Sequence, residues 1–174
     1  MPEWFLYIVS ILSKSWVLML SPAIFIFFVF KDRLAFRFVL LTAAFFLFGN
    51  LTASSLRAFD DIYIYRYLVW AITDIIWMAL IAYWGIKDKV YLWQCVIGQL
   101  VVIGAPILQL FRLVDRHLWD LAYSTVIYQT LMPFINIATV VVCYLPLIIL
   151  FTKQGSVKSK IENSPPSNSC AKLL

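Results

Sequence analysis

The sequence predicts an all-α integral membrane protein, a five-helix transmembrane bundle with its N-terminus outside and its C-terminus in the cytoplasm. Three observations carry that prediction. Hydrophobic residues make up 63% of the chain and charged residues 13%, where soluble domains hold about 45–50% and about 25%. The apolar residues gather into five stretches, each of about 20 residues or more, the length that a helix needs to cross a hydrocarbon core of about 30 Å. The charges fall in the short breaks between the stretches, and lysine and arginine sort unevenly to the two sides. This composition, with a mean hydropathy of +0.89, excludes a soluble globular domain, a disordered chain and a disulfide-stapled secreted domain. Alternating segments of about 10 residues, the mark of a transmembrane β-barrel, are absent.

The first span covers residues 4–30 and contains Lys14 and the pair Ser21-Pro22. Proline removes a backbone donor and crowds the preceding turn, so a kink near Leu18 is predicted. No basic region precedes the apolar run, so the segment reads as a permanent helix and not a cleaved signal. Lys31-Asp32-Arg33 ends it. The second span, 38–56, sets the small residues Gly49 and Ala53 four apart, a packing face for a neighbouring helix. The charged stretch from Arg57 to Arg66 leads into the third span, 67–86, and Lys87-Asp88-Lys89 separates that from the fourth, 90–112. The fifth span, 118–151, would be about 50 Å long as an ideal helix. It therefore tilts, starts at the interface or breaks at Pro133; a separate crossing that ended at Met132 would be too short. Residues 152–174, rich in Ser, Asn, Pro and Lys, are expected to form a disordered basic cytoplasmic tail.

Orientation follows from the basic residues. Lys31, Arg33, Arg37, Lys87, Lys89, Lys153, Lys158, Lys160 and Lys172 share one side, and Arg57, Arg66, Arg112 and Arg116 the other. The richer side is assigned to the cytoplasm, which makes the chain multi-pass and, in a bacterium, a protein of the inner membrane. The net charge of +5 is thus a topology signal. No basic stripe with interleaved aromatics marks a nucleic-acid surface. Expected partners are the lipid bilayer and either further copies of the chain or other membrane subunits.

The informative residues are the polar ones inside the spans. In the third, Tyr67, Trp70, Asp74, Trp77 and Trp84 recur at helical spacing, and Trp70, Trp77 and Trp84 nearly align because seven residues make almost two turns. A carboxylate toward lipid is costly, so Asp74 is expected to face the interior and to turn this possible binding stripe inward with it. Tyr67 and Trp84, at the span ends, also suit interfacial anchoring. Lys14 lies at a depth similar to Asp74, which makes an intramembrane ion pair possible, either a lock between helices or a protonation or substrate site. Asn50, Gln99, Gln129 and Asn136 place a polar stripe on the second, fourth and fifth spans. Taken singly each is interhelical glue; together they point to a hydrated interior.

At the outer rim, Arg57-x-x-Asp60-Asp61 and Arg112-x-x-Asp115-Arg116-His117 end the second and fourth spans alike. Arginine and aspartate three apart can pair on a helix, and surface salt bridges are expected. No spacing matches a metal signature, and no nucleophile motif or glycine-rich phosphate loop occurs. Cys95, Cys143 and Cys170 are scattered, and a single histidine excludes a bis-histidine haem within one subunit. No metal, cofactor or enzymatic activity is expected.

Arg66-Tyr67-x-x-Trp70-x-x-Thr73 resembles a piece of the third helix of microbial rhodopsins over eight residues. Val69 stands where those proteins carry a counter-ion aspartate, no late helix supplies a retinal lysine, and five spans do not make seven. No function is carried across. Small size, short loops and the lack of a catalytic signature favour an accessory or assembly subunit of a membrane complex. The alternative is a transporter or channel subunit for a proton or a small cationic or aromatic solute, using Asp74 and the aromatic stripe.

Overall fold

The computed structural model describes residues 16–60, 64–118 and 122–162, with side chains of 122–123 and 151–162 left aside. Among these residues there are helices and turns but no strand. In chain order the helices are α1 (Trp16–Val29), α2 (Arg33–Phe59), α3 (Ile64–Ile86), α4 (Leu92–Val102), α5 (Gly104–Leu118) and α6 (Ala122–Glu162). Arg33–Phe59, Ile64–Ile86, Leu92–Leu118 and Ser124–Leu150 are each long and apolar enough to cross a membrane. Trp16–Val29 is a shorter apolar helix, about 21 Å long at 1.5 Å per residue. The chain divides into two units, Met1–Tyr144 and Leu145–Leu174; the described part of the second is the C-terminal stretch of α6.

In the first unit, α1 packs on α2, α2 on α3, and α3 on both α4 and α5. The buried faces follow the helical repeat: Trp16, Leu20, Ala23 and Phe27 on α1, and Tyr67, Ala71, Trp77, Ile81 and Gly85 on α3. The opposite faces are apolar too. Leu18 and Leu100 are each 70% exposed and Leu51 68%, a surface that suits hydrocarbon and not water. Two glycines set the closest approaches. A Cβ on Gly85 would meet the Cys95 Sγ at 2.9 Å, and one on Gly98 would meet Phe38 at 3.0 Å. Gly98 thereby leaves room for Phe38 of α2 to pack edge-on against Trp77 of α3, ring centroids 5.8 Å apart.

The turns after α1 and α3 share one construction. The Asp32 N–H bonds the Phe27 carbonyl and the Lys31 N–H that of Phe28; Lys89 and Asp88 repeat the pattern on Trp84 and Gly85. This is the Schellman arrangement, which needs a left-handed residue after the helix. Lys31 (φ 56°) and Asp88 (φ 52°) take that conformation although neither is glycine. Asp32 then caps α2 by accepting from the Leu34 and Ala35 N–H groups, and its other oxygen accepts from the Tyr91 hydroxyl at 3.0 Å. The two turns are thus tied at one end of the molecule. Burial, with the hydrogen bond to Asp32 and its charge, raises the Tyr91 phenol above its ordinary pKa.

The prolines act differently from one another. Pro22 lies inside α1, which is not broken there. The Leu18 carbonyl, which a residue-22 N–H would otherwise bond, accepts from the Ser21 hydroxyl at 2.8 Å, so the backbone group deprived by the proline is satisfied locally. Pro133 likewise lies within α6, which runs on without a break and passes residue 151 to end at Glu162. The fourth span falls into α4 and α5 on either side of Ile103, which itself keeps a helical backbone (φ −55°, ψ −28°) and bonds the Gln99 carbonyl at 2.9 Å. Pro106 has no N–H for the Val102 carbonyl, which interrupts the ladder at that place.

The outer-rim expectations need correction. The fourth span does not end at Arg112 but continues to Leu118. Arg112 and Asp115 are buried and not at the surface, Asp115 completely. The Arg112 Nη1 lies 3.0 Å from the Asp115 Oδ2, and Arg112 and Asp115 both bond the buried Ser124 hydroxyl at the start of α6. Charge here fails to mark a helix end because the pair is neutralised within the protein. At the other rim site Asp60 is buried as well, and accepts from the backbone N–H groups of Ile64 at 3.0 Å and Arg66 at 2.8 Å. It serves the unpaired donors at the start of α3 and does not pair with Arg57, which is exposed. His117 is exposed, its Nδ1 2.9 Å from the Leu113 carbonyl. Asp61 lies outside the described residues.

Candidate functional site

A cavity of about 870 Å³ opens between the helices of the first unit. All six helices contribute to its wall. From α2 come Thr42, Phe45, Phe46, Gly49, Asn50, Ala53, Ser54 and Arg57; from α3 come Trp70, Thr73, Asp74 and Trp77. Gln109 of α5 and Tyr128, Gln129, Asn136 and Thr139 of α6 face them. Trp16 of α1 closes a corner, stacked on Phe46 with centroids 6.3 Å apart.

The convergence has a simple cause. A helix that contributes a single stripe of polar side chains gains from turning it away from lipid and toward the stripes of its neighbours. The small residues Gly49 and Ala53 keep that wall of α2 low, and nothing stands within 4 Å of where a Gly49 Cβ would be. The result is a space within the size range of small-molecule sites, with six aromatic rings and one carboxylate among its lining groups.

Asp74 is half-buried in the wall. The Gln109 Nε2 donates to its Oδ2 at 2.9 Å, joining α3 to α5. Gln109 is buried, and its Oε1, like the Nε1 of Trp77, has no hydrogen-bond partner among the described residues. Tyr67 stands behind the wall, edge-on to Trp70 and to Tyr128, with the Arg66 guanidinium 5.8 Å from its ring centre. This aromatic cluster braces Trp70 and Tyr128 where they face the cavity.

Of the residues singled out in the sequence, the fold brings Asn50, Arg57, Trp70, Asp74, Trp77, Gln129 and Asn136 to this one space. Tyr67 supports it from behind, and Trp84 does not line it. Gln99 faces elsewhere. Its amide donates to the Met78 carbonyl at 3.3 Å, and it lines a separate groove of about 480 Å³ between α3 and the α4–α5 break. Lys14 lies outside the described residues, and the described partner of Asp74 is Gln109. Sequence reasoning missed Gln109, Tyr128, Phe45 and Phe46 as cavity residues. Gln109, a polar side chain within the fourth span, carried the one legible signal among them; the aromatics had none to separate them from lipid-facing neighbours.

The described residues contain no group of three or more His, Cys, Asp or Glu side chains placed to hold a metal ion. Comparison of the chain with protein-family models, curated proteins and solved structures finds no match. The cavity's own chemistry is therefore the basis for any functional reading.

Proposed function

We propose that this protein is a transporter or channel subunit that takes a small organic cation, aromatic or flanked by aromatic groups, into the cavity between its helices. The observation that carries the reading is Asp74: an anionic side chain at the wall of a roomy cavity, with one oxygen bound to Gln109 and with Trp70 and Trp77 on its own helix. A cation gains from a carboxylate and from aromatic faces together, and more so where water is scarce. An accessory or assembly role needs no interior of this kind, so the cavity favours transport over it. In this reading the N-terminus is outside and the tail cytoplasmic, following the lysine and arginine bias, and the protein acts without covalent chemistry.

The test is binding and uptake of phenethylamine by the full chain in lipid nanodiscs and proteoliposomes. Saturable binding is expected, and Asp74→Asn should weaken it by tenfold or more, on the order of one charge-assisted hydrogen bond. A folded protein that binds no phenethylamine, or an Asp74→Asn variant that binds it as well as the parent, refutes the proposal.

A further inference from the structure

Arg57 gives the cavity a second charged pole. It lines the same space as Asp74 and is exposed. The acid expected to neutralise it, Asp60, is instead committed to backbone N–H groups of α3. Among the described residues Arg112 pairs with Asp115, and no described carboxylate is within bonding reach of Arg57. A guanidinium carries five donors in a planar fork suited to a carboxylate or phosphate. Its hydrogen-bonding capacity is therefore unused by the described chain at the place where a ligand would enter.

The two poles stand at different depths. Arg57 is three residues from the end of α2 at Asp60, and Asp74 is ten residues into α3 from Ile64. The helices run in opposite directions from a short turn, so 1.5 Å per residue sets the two Cα atoms about 10 Å apart along the bundle. Between them the wall is aromatic on the Trp70 side and carries the neutral amide and hydroxyl of Asn50 and Ser54 on the other.

We infer that the cavity selects an extended zwitterion, its ammonium at Asp74 among the rings and its carboxylate or phosphate at Arg57. This rests on the binding reading above and names the ligand class within it. A simple amine would satisfy Asp74 alone. An α-amino acid, whose charges adjoin one carbon, spans far less than the axial separation of the two Cα atoms.

Three probes decide the matter on the full chain in nanodiscs: phenethylamine, phenylalanine and 4-(2-aminoethyl)benzoate, whose charges stand a benzene ring and an ethylene apart. The extended zwitterion should bind about tenfold to a hundredfold tighter than phenethylamine, the range of a hydrogen bond to a charged group. Phenylalanine should gain no such advantage. Arg57→Gln should bring the affinity ratio of 4-(2-aminoethyl)benzoate to phenethylamine close to one, and Arg57→Lys should keep part of it. The side chain is exposed, so both variants are compatible with folding, which their elution profile checks. Equal binding of the two probes by the parent, or a ratio that Arg57→Gln leaves intact, overturns the zwitterion inference while the cation reading stands. Failure of phenethylamine and 4-(2-aminoethyl)benzoate alike overturns both.

Discussion

Replacing Asp115 by alanine separates two physical accounts of the same charges. If Arg112 and Asp115 formed a solvent-exposed pair, its loss would cost about 0–1 kcal/mol. In the structure Asp115 is fully buried, Arg112 is 8% exposed, and Ser124 completes the cluster across the α5–α6 connection. Asp115→Ala leaves a guanidinium inside the protein with the Ser124 hydroxyl but without its counter-charge. The cost of stranding such a charge is about 3–5 kcal/mol. The assay is reversible unfolding in mixed micelles by increasing mole fraction of SDS, followed by far-ultraviolet circular dichroism, for the parent, Asp115→Ala, Arg112→Met and the double variant. The double should lose much less than Asp115→Ala, because no unpaired charge remains. A loss of about 1 kcal/mol or less in Asp115→Ala, or singles that simply add in the double, would refute the buried-cluster account.

Three further stability tests use the same assay. Gly98→Val should destabilise by about 1–3 kcal/mol, because its side chain would enter the space where Phe38 meets Trp77. Gly49→Ala should stabilise by up to about 1 kcal/mol, since its Cβ meets nothing within 4 Å and alanine is the better helix former. Lys31→Gly should add about 1 kcal/mol by relieving a left-handed backbone at φ 56°. Unchanged stability there would mean that the turn is not held in that conformation.

Hydropathy made four of the spans legible, while the first, expected over residues 4–30, is described as the shorter apolar helix Trp16–Val29; the charged turns at residues 31–33 and 87–89 lie where apolar runs stop. The errors at the rims came from reading charge as exposure. Arg112, Asp115 and Asp60 are buried because groups just across the next turn, Ser124 and the first N–H groups of α3, bond them. The polar stripes were legible as stripes, since helical periodicity alone reveals a face. Which stripe meets which was not. Depth arithmetic made Lys14, which lies outside the described residues, a match for Asp74; among the described residues the partner of that carboxylate is Gln109, and the contact depends on α3 lying against α5. Gln99 shows the complementary limit: it lies in the same span as Gln109 but donates to the Met78 carbonyl, while Gln109 reaches Asp74.

The bond missing at Pro106 has a mechanical meaning. The hydrogen-bonded ladder of an intact helix transmits bending along its length, and a span without the bond to the Val102 carbonyl is softer at that place. Gln109 lies six residues beyond Ile103, a lever arm of about 9 Å. A rotation of α5 by about 10° would therefore carry the Gln109 amide roughly 1.5 Å, enough to part it from the Asp74 oxygen it now holds at 2.9 Å. The cavity's carboxylate is in this way sensitive to the attitude of α5, while α4 is packed through Gly98 against Phe38 and Trp77.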